Sequence, residues 1–249
     1  MKPLFEFDAV FYRYPGQEQF ALQALTAVLP AGERVAVVGR NGAGKSTLFL
    51  HCNGLLRPVA GAVRFRGQPL AYDRPSIKAL RHRVGLVFQN PDNQLFSASV
   101  AQDISFGPLN LGLSEDEVRR RVAAAADLCD ITHLLSRPTH ALSGGEKARV
   151  ALAGVLAMEP EVLVADEPLA SLDPWMRLAL FEILQRFYDR GNTILMATHN
   201  LSVVSDWATY VIVLQAGSVA FSGTPATLLA DEAVLRATGL SQVLDQGLP

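Results

Sequence analysis

"GRNGAGKST", Gly39 to Thr47, decides how this chain folds. It fits the pattern G-x-x-x-x-G-K-[ST]. Before it, "ERVAVVG" is a short β-branched apolar run ending in glycine, the mark of a buried strand. After it, a helix is expected from Gly44 to about Leu56. Strand, glycine-rich turn and helix start, in that order, make an anion cradle. Gly39, Gly42 and Gly44 let successive backbone N–H groups turn inward around phosphate oxygens, and the helix adds its positive end. Asn41, Gly42, Ala43, Gly44, Lys45, Ser46 and Thr47 are the candidate phosphate-binding residues. Lys45 is expected to neutralise the β- and γ-phosphates of a nucleotide, and the Ser46 hydroxyl to ligate Mg²⁺. An ordinary glycine-rich turn needs neither group in register.

Working outward, two more apolar strands end in polar groups. "VLVADEP" (Val162 to Pro168) ends in paired acids. Asp166 is placed to hold Mg²⁺ through its water shell, and Glu167 to polarise an attacking water. Alone, two acids before a proline would read as a turn; beside a phosphate cradle the catalytic reading prevails. "TILMATHN" ends in His199, placed to reach a γ-phosphate or that water. His51, His82, His133 and His140 show no ligand-like clustering, so no transition metal is expected to be held by the chain.

The rest reads as strand and helix in alternation around a helical block. Leu4 to Tyr12 and Phe20 to Leu29 are expected strands, as are Gly61 to Arg66 and Val84 to Gln89. From about residue 90 to 160 helices dominate, with capping-box patterns at Ser114–Glu117 and Ser143–Glu146. Pro174 opens a helix that Gly191 closes, "YVIVLQAGSVAF" reads as a hairpin, and Thr224-Pro225 starts a further helix. "SQVLDQGLP" reads as a frayed terminus. The expected class is α/β: one domain with an ATP-binding core over 1–89 and 161–249, an N-terminal antiparallel β portion, and an inserted α-helical subdomain at about 90–160.

Composition narrows the function. A net charge of −2 gives no electrostatic support for nucleic-acid binding, so no nucleic-acid partner is expected. Two distant cysteines, Cys52 and Cys129, fit a reduced intracellular setting. The start, "MKPLFEFDAVFYRY", is charged and alternating, unlike a signal peptide. No apolar run approaches the ~18–20 residues that span a bilayer, so any spanning would fall to another chain.

One stretch remains unaccounted for: "ALSGGEKARV", Ala141 to Val150. It is a second glycine-rich helix start, without a lysine in the loop. Ser143, Gly144, Gly145 and Glu146 would present a hydroxyl and first-turn N–H groups to an anion. Such a site suits a phosphate already bound elsewhere.

"LSGGE", with "GRNGAGKST", "VLVADEP", "SLDP" and "ATHN" in this order, resembles the nucleotide-binding subunit of ATP-binding-cassette (ABC) transporters, a P-loop NTPase fold, over almost the whole chain. The resemblance implies ATP and Mg²⁺ as cofactors. It implies a homodimer in which the LSGG loop of one copy completes the ATP site of the other. It places Tyr14 on the adenine ring, although a strand aromatic packed on the core would look the same. Gln89 would contact Mg²⁺ or the water and sense the transporter. Asp173 would cross the dimer interface, besides serving as N-cap before Pro174. Position 146 is Glu where the family commonly has Gln.

"VFQNPDNQLFSASVAQDISFGPLNLGL" and "PTHALSGGEKARVALAGVLAMEP" resemble energy-coupling-factor importers, most closely those taking up cobalt, with nickel or vitamin importers next. That implies a place at the cytoplasmic face of the cell membrane, under a membrane scaffold subunit and beside a substrate-capture membrane subunit. Leu95 and Phe96 suit either a groove for the scaffold's helices or the helical block's own core. A soluble ABC ATPase of nucleic acid or ribosomes would carry tandem cassettes or basic surfaces. A kinase or GTPase would leave LSGG without a task, and no N-K-x-D is present.

Overall fold

The computed structural model describes residues 2–169 and 172–240. The expected frayed terminus, 241–249, lies outside the described residues. In chain order the elements are β1 (Pro3–Tyr12), β2 (Leu22–Pro30), β3 (Arg34–Val38), α1 (Lys45–Cys52), β4 (Ala60–Phe65), β5 (Gln68–Pro69), α2 (Arg74–Arg83) and β6 (Val84–Val87). There follow α3 (Val100–Asn110), α4 (Glu115–Leu128), α5 (Gly144–Leu156), β7 (Val162–Asp166) and α6 (Pro174–Tyr188). The chain closes with β8 (Thr193–Thr198), α7 (Leu201–Trp207), β9 (Tyr210–Gln215), β10 (Ser218–Gly223), α8 (Pro225–Ala230) and α9 (Glu232–Thr238). They form two compact units, Met1–Arg81 with Asn192–Pro249, and His82–Gly191.

The first unit carries the antiparallel sheet β2-β1-β4-β5. Its buried face takes Phe5 and Phe7 of β1 and Phe65 of β4, with the Phe5 and Phe65 rings 4.9 Å apart. The same unit holds β3 between β8 and β9, parallel to both. A strand covered on each side and both faces needs apolar residues throughout, and Val35 to Val38 are fully buried, as is the whole of β8. β9 and β10 form an antiparallel hairpin turning at Ala216–Gly217, both with positive φ, the backbone that a two-residue hairpin turn demands. α1 stops at Cys52, short of the expected Leu56. The Leu55 and Leu56 N–H groups both return to the Leu50 carbonyl, which unwinds the end.

The second unit packs α3, α4 and α5 together and carries the parallel pair β6–β7. β6 ends at Val87, two residues before the expected Gln89, because the Phe88 N–H donates to the Gln94 side chain instead of a strand (3.1 Å). The two capping patterns differ. At α5 both halves of the box are present. At α4 Ser114 accepts the Glu117 N–H, but the Glu117 carboxylate turns to Arg120 and Arg121. Guanidinium donors, which carry a full positive charge, outcompete a neutral backbone N–H for the carboxylate, and they hold the Glu117 carboxyl down at about 2. Sequence reading passes over α2, α7, α9 and the short β5; α2 is signalled only by Asp73, whose carboxylate accepts the Ser76 N–H (3.0 Å).

Candidate nucleotide-binding site

In the first unit, β3 delivers the chain into the Gly39–Thr47 loop at the edge where β8 also ends, Val38 lying opposite Thr198. Gly39 sits where a β-carbon would meet the Leu214 carbonyl, and Gly44 where it would meet the Ala21 carbonyl and Leu22. Gly42 has room but a φ of 80°, which glycine adopts without strain. The loop rests on the β9–β10 turn, whose Gly217 N–H donates to the Ala43 carbonyl (3.1 Å).

α1 starts at Lys45 with Gly44 as N-cap, with no side-chain cap and no acid in the first turn. Its leading N–H groups are thus left for an outside acceptor. Lys45 is buried and folds back over the loop, donating to the Gly39 carbonyl (2.8 Å) and the Arg40 carbonyl (3.4 Å). Asn41, Gly42 and Ser46 are exposed; Ala43 and Thr47 are buried. The Tyr14 hydroxyl pairs with Thr47 Oγ1 (3.1 Å), and its half-buried ring stands edge-on to Tyr12. Tyr14 is therefore held at the helix that follows the cradle. His51 is buried beneath, with Nδ1 2.7 Å from the Thr47 carbonyl, and burial pushes its pKa down. His199 is exposed directly after β8, and Asn200 behind it caps α7 (2.8 Å to the Ser202 N–H).

In the second unit, β6 and β7 run parallel with Val87 opposite Ala165. Gln89 and the Asp166–Glu167 pair therefore leave the sheet at one edge. Gln89 is exposed and both acids are half-buried. Glu167 has φ 46°, a left-handed backbone that costs a non-glycine residue energy and collects at functional turns.

Sequence reasoning missed the residues that tie this edge to α5. Gln94 spends its oxygen on the Phe88 N–H and its nitrogen on the Ala151 carbonyl (3.0 Å), and Lys147 reaches Asp92 (2.6 Å). Only the turn composition of "PDNQ" was visible. Replacing Gln94 with leucine strands both backbone groups. It is expected to cost about 1–3 kcal/mol of stability, read from a urea unfolding curve.

At the start of α5 the Ser143 N–H donates to Glu146 Oε2 (2.7 Å), and the Glu146 N–H donates to Ser143 Oγ (3.4 Å). Ser143 and Gly144 are exposed, and Gly144 has nothing within 4 Å of where a β-carbon would stand. Gly145 is different: it is buried, and a β-carbon there would overlap the Met176 thioether of α6. One glycine leaves the helix start open; the other lets α6 pack on it. Asp173 is exposed and caps α6 through the Met176 N–H (2.9 Å).

Leu95 is half-buried, but Phe96 is 64% exposed, which removes it from the helical block's core. Its ring meets Phe106 edge-on at 4.7 Å, and Leu109 continues the exposed apolar face of α3. Asp103 holds the turn by accepting the Phe96 and Ser97 N–H groups (3.0 and 2.7 Å).

The model of the ABC transporter family matches residues 22–170. An energy-coupling factor transporter ATP-binding protein, EcfA, of Methanothermobacter thermautotrophicus is 44% identical over 237 residues, covering 95% of this chain and 76% of that protein. EcfA of Methanocaldococcus jannaschii is 44% identical over 231 residues, covering 93% and 82%. Among solved structures, cbiO1 from Clostridium perfringens, described as part of the ABC transporter complex cbiONQ, superposes with a TM-score of 0.83 at 43% identity over 96% of each chain. A dimeric ATP-binding cassette in a post-hydrolysis state superposes with a TM-score of 0.80 over 89% of this chain and 99% of that one; at 24% identity it speaks for the fold alone.

Proposed function

This chain belongs to the ABC transporter family as an ATP-hydrolysing subunit of the energy-coupling-factor type, and from that premise we propose that it powers import of a transition-metal ion, cobalt foremost. The observation that carries the motor reading is the cradle: an uncapped helix start with a buried lysine folded inside the loop. The phosphates of ATP lie against the N–H groups of Gly42 to Thr47, with Lys45 as counter-charge and Tyr14 against the adenine. Mg²⁺ prefers oxygen ligands and keeps several waters; the residues that would hold it are Ser46 by its hydroxyl in the first unit, and Gln89 by its carboxamide and Asp166 by its carboxylate in the second. Glu167 takes a proton from the attacking water, and His199 steadies the γ-phosphate.

The Ser143–Glu146 loop receives the ATP held by a second copy, so two nucleotides close a homodimer in which both sites are equivalent. Asp173 lies at that interface. No helix among the described residues is long and apolar enough to cross a membrane. The assignment to the cytoplasmic face therefore invokes a membrane scaffold subunit, docked at Phe96, Phe106 and Leu109, and a separate substrate-capture subunit. Cobalt rests on the resemblance of the stretches over residues 87–113 and 138–160 to cobalt importers.

Co-purification from membranes, followed by uptake assays with cobalt and nickel, tests the assignment. Cobalt uptake that needs this chain and stops with Lys45→Ala is the expected result. Uptake of neither ion by the reconstituted complex removes the metal assignment.

A further inference from the structure

Glu146 poses a problem at the start of α5. A carboxylate in the first helical turn is attracted to the same positive end that would receive a phosphate. Hydrogen bonds from Ser143 hold its carboxyl below the usual carboxylate range, so it is charged at neutral pH. Left alone, that charge would compete with an incoming anion for the loop's donors and repel it.

The segment just before the loop supplies a counterweight. Arg137 Nη1 donates to Glu146 Oε1 (3.0 Å), and Arg137 Nη2 donates to the Ala141 carbonyl (2.7 Å), two residues before Ser143. Its own backbone is fixed, the Arg137 carbonyl accepting the Val100 N–H (3.0 Å) at the start of α3. Each Glu146 oxygen thus has a partner: one faces the Ser143 N–H and the other a guanidinium. What stays available is the pair of first-turn N–H groups of Gly144 and Gly145, which have no partner within the helix by geometry.

We propose that Arg137 is a positioning residue for ATP capture, holding the Glu146 carboxylate against the loop and cancelling its charge so that a phosphate meets donors alone. The proposal rests on the reading that this loop receives ATP from a second copy. The Arg137 side chain is 42% exposed, and a half-exposed pair adds little to stability, so its loss should leave the fold intact for the test.

The test uses chains carrying Glu167→Gln and reads, by light scattering, the ATP concentration that brings half of them into dimers. Arg137→Met is expected to raise it roughly 5- to 30-fold, the scale of one uncompensated charge at a partly buried helix start. Adding Glu146→Gln should return it to within about 2-fold, the signature of coupled neighbours rather than of a lost prop. Arg137→Lys, which keeps the charge without the planar fork, should fall between, and it carries the test if Arg137→Met does not fold. No rise, or a rise that Glu146→Gln leaves in place, overturns the proposal. If the Glu167→Gln parent itself never dimerises on ATP, the shared-site reading falls and this proposal with it, an outcome distinct from failure confined to the Arg137 variants.

Discussion

Glu167→Gln is expected to slow ATP hydrolysis by about 10²–10⁴-fold, the range for loss of a general base, while ATP still binds. The exchange is nearly isosteric. It leaves the left-handed turn after β7 occupied by a residue of the same size, so the backbone at φ 46° has no new reason to relax. It removes only basicity. Lys45, Ser46 and Asp166 keep their places, and the bound nucleotide should persist long enough to hold two copies together. Rate is read by phosphate release, and assembly by light scattering with and without ATP. Normal turnover in this variant would sink the role given to Glu167.

The second large effect concerns the loop at the start of α5. Removing its donors should cost on the order of 10²–10³ in rate, as loss of an oriented donor at a developing charge does elsewhere. Ser143→Ala also removes the cap of α5, a loss of about 1 kcal/mol that a thermal melt detects separately. Mixing chains is the sharper version. A Lys45→Ala chain and a Ser143→Ala chain are each inactive as homodimers. In a head-to-tail pair both lesions fall in one site and the other site is whole. Activity recovered on mixing is the expected result; mixtures no better than the separate chains mean that each copy works alone.

The cradle was legible because phosphate chemistry fixes residue types at short spacing. Strand, glycines, Lys45 and Ser46 lie within fourteen consecutive residues, from Glu33 to Ser46. The ends of β7 and β8 were legible for a related reason: an apolar run that stops at Asp166 or His199 announces where its strand meets solvent. What stayed hidden acts across the chain. Gln94 reaches Ala151, 57 positions away, and Lys147 reaches Asp92 across 55. No local pattern marks a glutamine for that task.

Adjacent glycines were read as one device, and the structure separates them, since burial by Met176 is invisible until α6 is placed. Ser114–Glu117 looked like its counterpart at α5, but two arginines downstream captured the carboxylate. Phe96 had two readings, and its exposure sets aside the one that buried it in the helical core.

A carboxamide is flat and does not stretch, which gives the Gln94 bridge a mechanical meaning. Its oxygen grips the backbone just past β6 and its nitrogen grips a carbonyl midway along α5. One planar group thus sets the spacing between the exposed turn and the helix, and neither can drift from the other without breaking one of its two hydrogen bonds.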